Sequence, residues 1–327
     1  MQHFYKTGIA ANRLRRSTHC VKARKKMKLI VPFAVLLVLL SSSAIFAQPQ
    51  SETETQPKSA RTLAVVSEPA AIVWLDEIRR GTTDASGRLT LSNVSTGAHT
   101  MRVRANGFKE ATMPVTATAR GEVSVRLIRT TDQAELSFQQ AETARETAKN
   151  EEDKQEAAGL YRDALKARAA FPAAHVGLAR VLLDLNDTDG ALKEIADARR
   201  DRTSYPEASA VEGRIYRETG QTDEAFGSFN RALRESHGFQ PEAHVGLGRM
   251  YEDRGQYDLA AREFDIAIKQ LSDTEPIIYQ LLGAAYEKSD NPKEAIVAYE
   301  NYLRLAPNGS QASAIRSIIE QLKTDPP

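Results

Sequence analysis

Two hydrophobic rhythms divide the chain. From residue 63 to about 129 apolar and polar side chains alternate with period two. From about 132 onward apolar residues recur at spacings of three, four and seven. The first pattern predicts strands with one buried face, the second amphipathic helices. Strands are expected at Leu63–Val66, Ala71–Leu75, Arg88–Leu91, His99–Arg104, Ala111–Val115 and Glu122–Leu127, with Gly81, Gly87, Gly97, Gly107 and Gly121 at the turns. Met101 and Val103, and Val123, Val125 and Leu127, are the clearest inward-facing sets. Short strands punctuated this often predict a small all-β sandwich.

The helical part repeats itself. Gly213, Gly248 and Gly283 are 35 residues apart, and Ala179 precedes Gly213 by 34. Three positions further on stand Leu182, Tyr216, Tyr251 and Tyr286. Twelve on come Ala191, Ala225, Ala260 and Ala295; sixteen on, Ile195, Phe229, Phe264 and Tyr299; nineteen on, Ala198, Ala232, Ala267 and Tyr302. A small residue lets two helices approach closely, and a large one beside it fills the remaining space. Asn186-Asp187, Gly220, Gly255 and Asp290-Asn291 break each unit into two helices, and each unit closes near a proline: Pro206, Pro241, Pro276, Pro307. A helical hairpin cannot cover its apolar face alone, so a fixed period in the thirties predicts a stacked solenoid. A weaker hairpin upstream, with Ala157, Tyr161 and Ala164 in its second helix, extends the array to about five units over 132–309. The segment 310–323 carries Ala314, Ile315, Ile318, Ile319 and Leu322 on one stripe and is expected to be a capping helix.

The repeat resembles the tetratricopeptide repeat (TPR) family, most closely over Ala243–Gln270, where Leu247, Gly248, Tyr251, Gly255, Tyr257, Ala260, Phe264 and Ala267 occupy the family's positions. The β segment resembles PEGA domains in Ser67–Asp76, Gly81-Thr82-Thr83, Gly97-Ala98-His99 and Asn106-Gly107-Phe108, with Glu77 where the family has glycine. Its turn Thr83–Leu89 is also similar to carboxypeptidase regulatory-like domains, and both readings stand. Either implies an accessory extracytoplasmic module without catalytic residues. The fold class expected is multidomain: an all-β sandwich at 63–129, then an all-α TPR solenoid.

The first 47 residues add a compartment. They hold nine Lys or Arg and no acid, then an apolar run Leu29–Leu40, then small residues to Ala47. This is the pattern of a secretory signal peptide, expected to be cut after Ala47. Met27-Lys28 directly precedes the apolar run, so Met27 is read as the true start; a long basic leader or an uncleaved anchor are the rival readings. Residues 48–62 are polar and proline-containing and read as a flexible linker. The protein is therefore expected to be exported, to the periplasm or cell envelope. Its single cysteine, Cys20, precedes the apolar run, so it is not a lipoprotein, and the mature chain has no disulfide and no thiolate chemistry.

Charge changes sign on export. The whole chain has 44 basic and 43 acidic residues; without the leader the balance is 35 against 43. A mildly acidic protein makes a poor nucleic-acid binder. No H-E-x-x-H, G-x-S-x-G or P-loop lysine occurs, and Gly246-Leu247-Gly248 holds the repeat's own packing glycine rather than a dinucleotide loop. No enzyme activity, metal or small-molecule cofactor is expected. His175 and His244 hold equivalent repeat positions and read as core packing, as does Trp74 on its strand.

One constellation remains. The TPR resemblance implies that the first helix of each hairpin lines a concave groove, with the residue after the packing glycine or alanine pointing inward. Here that residue is Arg180, Arg214 and Arg249. Guanidiniums in register suit carboxylates, so the partner expected is a protein or peptide of acidic character. Each arginine also has an acid four residues later, Asp184, Glu218 and Asp253, which would satisfy it internally. The function expected is an extracytoplasmic interaction scaffold; the alternative is envelope or glycan binding through the β-domain, with Trp74 and Phe108 as aromatic platforms.

Overall fold

A computed structural model describes residues 61–76, 78–271 and 274–324. The segments read as signal peptide and as linker up to residue 60, and the cleavage expected between them, lie outside the described residues.

The β segment forms three sheets. In the first, β1 (Arg61–Val66) lies between β4 (Arg88–Val94), antiparallel, and β8 (Gly121–Ser124), parallel. The second runs β3 (Ile78–Thr82), β2 (Ile72–Leu75), β5 (His99–Arg104), β7 (Ala111–Val115), all antiparallel. A short pair, β6 (Phe108–Lys109) and β9 (Ile128–Arg129), closes one end. The alternation meets in one core: Leu63, Val65, Val73, Met101 and Val103 are fully buried, with Val125 and Leu127 beside them.

Three strands escape the sequence pattern. β3 reads Ile-Arg-Arg-Gly-Thr and buries only Ile78, and β6 and β9 have two residues each, too short for a period. β1 begins at Arg61, inside the segment read as linker. The Arg61 guanidinium donates to the carbonyls of Thr116, Ala117, Ala119 and Gly97 at 2.6–3.0 Å, which fixes the strand's start. The turn before β4 needs Gly87: its φ is +75°, and a Cβ there would lie 2.1 Å from the Ser67 carbonyl oxygen.

Eleven helices follow among the described residues. They pair as α1 (Gln133–Thr147) with α2 (Glu151–Ala167), α3 (Pro172–Asp184) with α4 (Thr188–Asp201), and α5 (Pro206–Glu218) with α6 (Thr222–Glu235). Then come α7 (Pro241–Asp253) with α8 (Tyr257–Gln270), α9 (Pro276–Lys288) with α10 (Pro292–Leu305), and the single α11 (Ala312–Thr324). The prolines do not close units. Pro172, Pro206, Pro241 and Pro276 open the next hairpin at its first helical position, where a missing N–H costs nothing.

The turns within hairpins are alike. Asn186, Gly220, Gly255 and Asp290 all have φ between 59° and 75°. The next residue's N–H reaches back to the carbonyl of Leu182, Tyr216, Tyr251 or Tyr286, closing the helix end in a Schellman turn.

The predicted packing is present atom for atom. Ile195, Phe229, Phe264 and Tyr299 are at most 2% exposed, and the alanines at 191, 225, 260, 198, 232 and 267 are fully buried. A Cβ on Gly213 would lie 2.7 Å from Phe229, on Gly248 2.5 Å from Phe264, and on Gly283 2.6 Å from Tyr299. The same rings reach the following hairpin: Gly246 faces Phe229 at 2.2 Å and Gly177 faces Tyr161 at 2.3 Å on the same measure. At the end of the array Ile315 and Ile319 are buried as expected, while Ala314 is exposed and Ala312 takes its place, because α11 turns that alanine into the seam with α10. No helix of the described residues is long and apolar enough to cross a membrane.

Glycine substitutions should therefore split by position. Gly248→Ala is expected to lower stability by about 1–3 kcal/mol through overpacking. Gly227→Ala, exposed within α6 with nothing near its Cβ, should raise it by about 0.5–1 kcal/mol. Urea unfolding midpoints measured side by side check the pair.

Candidate partner-binding groove

The inner lining is set by which helices touch. First helices of successive hairpins pack on one another (α1 on α3, α3 on α5, α5 on α7), and each second helix packs on the next first helix. The positions that first helices leave over point into the curve.

Arg180, Arg214 and Arg249 occupy these positions with three different outcomes. Arg180 reaches across α5 to Glu242 at the start of α7 and forms a bidentate pair at 2.7 and 2.6 Å. Burial works against its charge, but Glu242, Glu207 and Glu142 outweigh that and hold the guanidinium above its ordinary value. Arg214 donates to Glu218 on its own helix at 2.9 Å and to Asp184 of the preceding hairpin at 2.7 Å. Arg249 is half-buried and makes no hydrogen bond or ion pair among the described residues. It stands beside Arg217, whose value burial lowers first and the Arg249 charge lowers further. The acid four residues on is thus used once, at Arg214. Asp184 turns to the next hairpin instead, since Arg180 is taken by the geometrically better two-point partner.

The β-domain packs on α1 of the first hairpin, within the same compact unit. Trp74 is not a core residue. It lies half-exposed on the outer face of β2, with the Arg102 guanidinium 4.2 Å and the Arg104 guanidinium 5.2 Å from its ring centre. Arg104, only 6% exposed, also sits 5.5 Å from the Phe138 ring of α1 and 3.6 Å from Glu142. Glu142 further accepts from the Tyr161 hydroxyl and lies 3.5 Å from Arg145. Burial opposes its charge, yet these cations and that hydroxyl hold the carboxyl below the usual range, and the Tyr161 hydroxyl is pushed far up. Arg79 pairs with Glu146 at 3.2 Å. Gln139 of α1 accepts from the Gly107 N–H at 2.9 Å and donates to the Phe108 carbonyl at 2.7 Å, itself 2% exposed. Phe108 in turn carries the Arg129 guanidinium at 5.3 Å, so both aromatic platforms considered from the sequence lie under cations. Next to this seam a cleft of about 550 Å³ opens, lined among others by Arg102, Arg180, Arg202, Tyr205, Phe239 and Glu242.

Sequence reasoning misses this seam. Gln139, Glu142 and Glu146 form a polar stripe on α1 that reads as a solvated face, and nothing in the period marks it as docked. His175 and His244 are buried as expected, yet each is a hydrogen-bonded bridge rather than a packing residue, with Nδ1 2.6 Å from Glu194 or Glu263. The ligand atoms of His175, Glu194 and Asp197 lie within 4.8 Å of one another. All three are engaged without a metal, Asp197 by Arg200 at 2.7 Å.

Tetratricopeptide-repeat family models match residues 150–215, 210–276 and 277–308. Residues 150–308 are tetratricopeptide repeats. The TPR array is similar to solved structures at low identity. TTC0263, a TPR protein of Thermus thermophilus, is 21% identical over 59% of this chain and 100% of its own, with a TM-score of 0.49. PilW, a type IV pilus biogenesis factor, is 15% identical over 60% of this chain and 92% of its own, at 0.48. YrrB, a TPR protein with an unusual peptide-binding site, is 17% identical over 56% and 92%, at 0.38. No curated protein matches the chain.

Gln139→Ala tests the seam. Removing the amide leaves a buried N–H and carbonyl of the β-domain without their partner, a loss of about 1–3 kcal/mol. Hydrogen exchange should show the Gly107 amide exchanging faster while amides of α7 to α10 keep their rates.

Proposed function

We propose that this protein is a non-enzymatic interaction scaffold outside the cytoplasm, whose TPR groove holds an acidic segment of a partner protein. One observation carries the reading. At a single register position of three successive hairpins, two arginines already hold carboxylates and the third, Arg249, holds none. Glu242 on Arg180 and Asp184 on Arg214 display the chemistry that Arg249, with Arg217 beside it, offers to a visitor. A carboxylate bonded to an unshared guanidinium gains a charge-assisted hydrogen bond. The half-buried setting strengthens it over a contact in open water.

The compartment rests on the leader: nine basic residues, an apolar run and a small-residue end at Ala47, with no acid among them. The β-domain is seated on α1 by Arg79, Arg104 and Gln139. The partner lies along α5 and α7, where Arg214 and Arg249 stand.

Two measurements test this. The double variant Arg214→Ala with Arg249→Ala should lose at least about tenfold in capture of its partner from an envelope extract, because each charged hydrogen bond is worth about 1.5–3 kcal/mol. Unchanged capture removes the groove from the account. Separately, N-terminal sequencing of the mature protein should read Gln48 first; any other start overturns the cleavage.

A further inference from the structure

Three histidines of this chain share one arrangement. Nδ1 of His99, His175 and His244 lies 2.6 Å from a carboxylate oxygen, of Asp76, Glu194 and Glu263 respectively. Nε2 of each faces a backbone carbonyl: Ser95 at 2.9 Å, Ala169 at 3.0 Å and Gly238 at 3.2 Å. Ionised carboxylates and carbonyls only accept hydrogen bonds. A neutral imidazole has one N–H, so it would aim its other lone pair at an acceptor. At His175 and His244 only the imidazolium, with two N–H groups, donates to both; at His99 the Ser95 hydroxyl, 3.4 Å from Nε2, can donate to a neutral ring.

We propose that His175 is a proton-operated latch, closed while its ring carries two protons and released when one is lost.

Each of the three rings ties three parts of the fold together. His175 on α3 joins α4 to the loop that precedes α3, and His244 on α7 joins α8 to the loop that precedes α7. His99 at the start of β5 joins the turn after β2 to the turn after β4. The surroundings are negative. Asp197 of α4 adds its charge to that of Glu194 at His175, and Arg200 pairs with Asp197. The Gly238 carbonyl at His244 also accepts from Gln270 of α8 at 2.8 Å. Asp76 at His99 also accepts from the Thr100 N–H at 2.8 Å and acts on the charge of Arg80. Burial disfavours the His175 cation, but the Glu194 and Ala169 hydrogen bonds and the two acidic charges outweigh it and hold the ring above the ordinary imidazole value. A raised value fixes the sign. The latch's stabilisation is complete below the unfolded histidine's value, about 6.5, and is lost as pH rises through the folded one.

The exposed His237 is the internal reference. In the full chain labelled with ¹⁵N-histidine, followed from about pH 5 to about pH 9, His175 should show two slowly exchanging ring N–H protons at the acid end and lose one above the ordinary imidazole value. His237 should show none. The unfolding temperature should fall as pH rises above about 6.5, and fall less in His175→Gln. His175 ring signals indistinguishable from those of His237, or a pH dependence unaltered in His175→Gln, overturn the proposal. Should that variant fail to fold, the ring protons of the unaltered chain decide it.

Discussion

The contact of an aromatic ring with the bare α-carbon of a glycine governs this molecule. Phe229 lies against Gly213 of its own hairpin and Gly246 of the next, closer than any side chain at those two positions would permit. This one fit does two things. It brings the helices of a hairpin together, and it sets how far the following hairpin is rotated before it rests on the same ring. Tyr161 against Gly177 repeats the second part, and Phe264 and Tyr299 the first. Where the small residue is Ala179, the ring is replaced by Ile195, which needs less room. Close packing tolerates such paired exchanges because it is the summed volume that is conserved.

The groove follows from what that packing leaves over. Once the glycine face and the neighbouring alanines are spent on the core, each first helix has one direction remaining, and it is lined with charge. Arg180, Arg214 and Arg249 stand on it, but curvature decides what each meets: Glu242 two hairpins away, Asp184 one hairpin back, or no carboxylate at all. The same curvature lets the β-domain insert Arg104 between Trp74 and Phe138. A buried cation there is held by two aromatic faces and Glu142, a polar seam where an apolar one would be ordinary.

How much of this was legible depends on whether a residue's role is local. The glycines, alanines and rings of the array could be read because each meets a partner at a fixed offset, and the four turns because Asn, Gly and Asp tolerate positive φ. Strands β1, β2, β4, β5, β7 and β8 were legible through alternation. Trp74 was misread because a tryptophan on a strand gives no sign of which face it takes. Gln139 and Glu142 were invisible for a related reason: a polar residue docked on another domain has the same spacing as one in water. The Arg180 partner lay beyond any local rule, 62 residues away, and depends on the superhelix as a whole.

Arrays of identical units usually gain and lose members freely, since each new hairpin restores the surface the last one presented. The bidentate contact between Arg180 and Glu242 withdraws that freedom here. It spans α5 and closes only when one whole hairpin stands between its ends. Duplicating or deleting α5–α6 would move Glu242 along the superhelix by a full unit and leave two unmatched charges on the inner wall. A modular architecture thereby acquires a fixed length at its centre, and the chain keeps count of its own repeats.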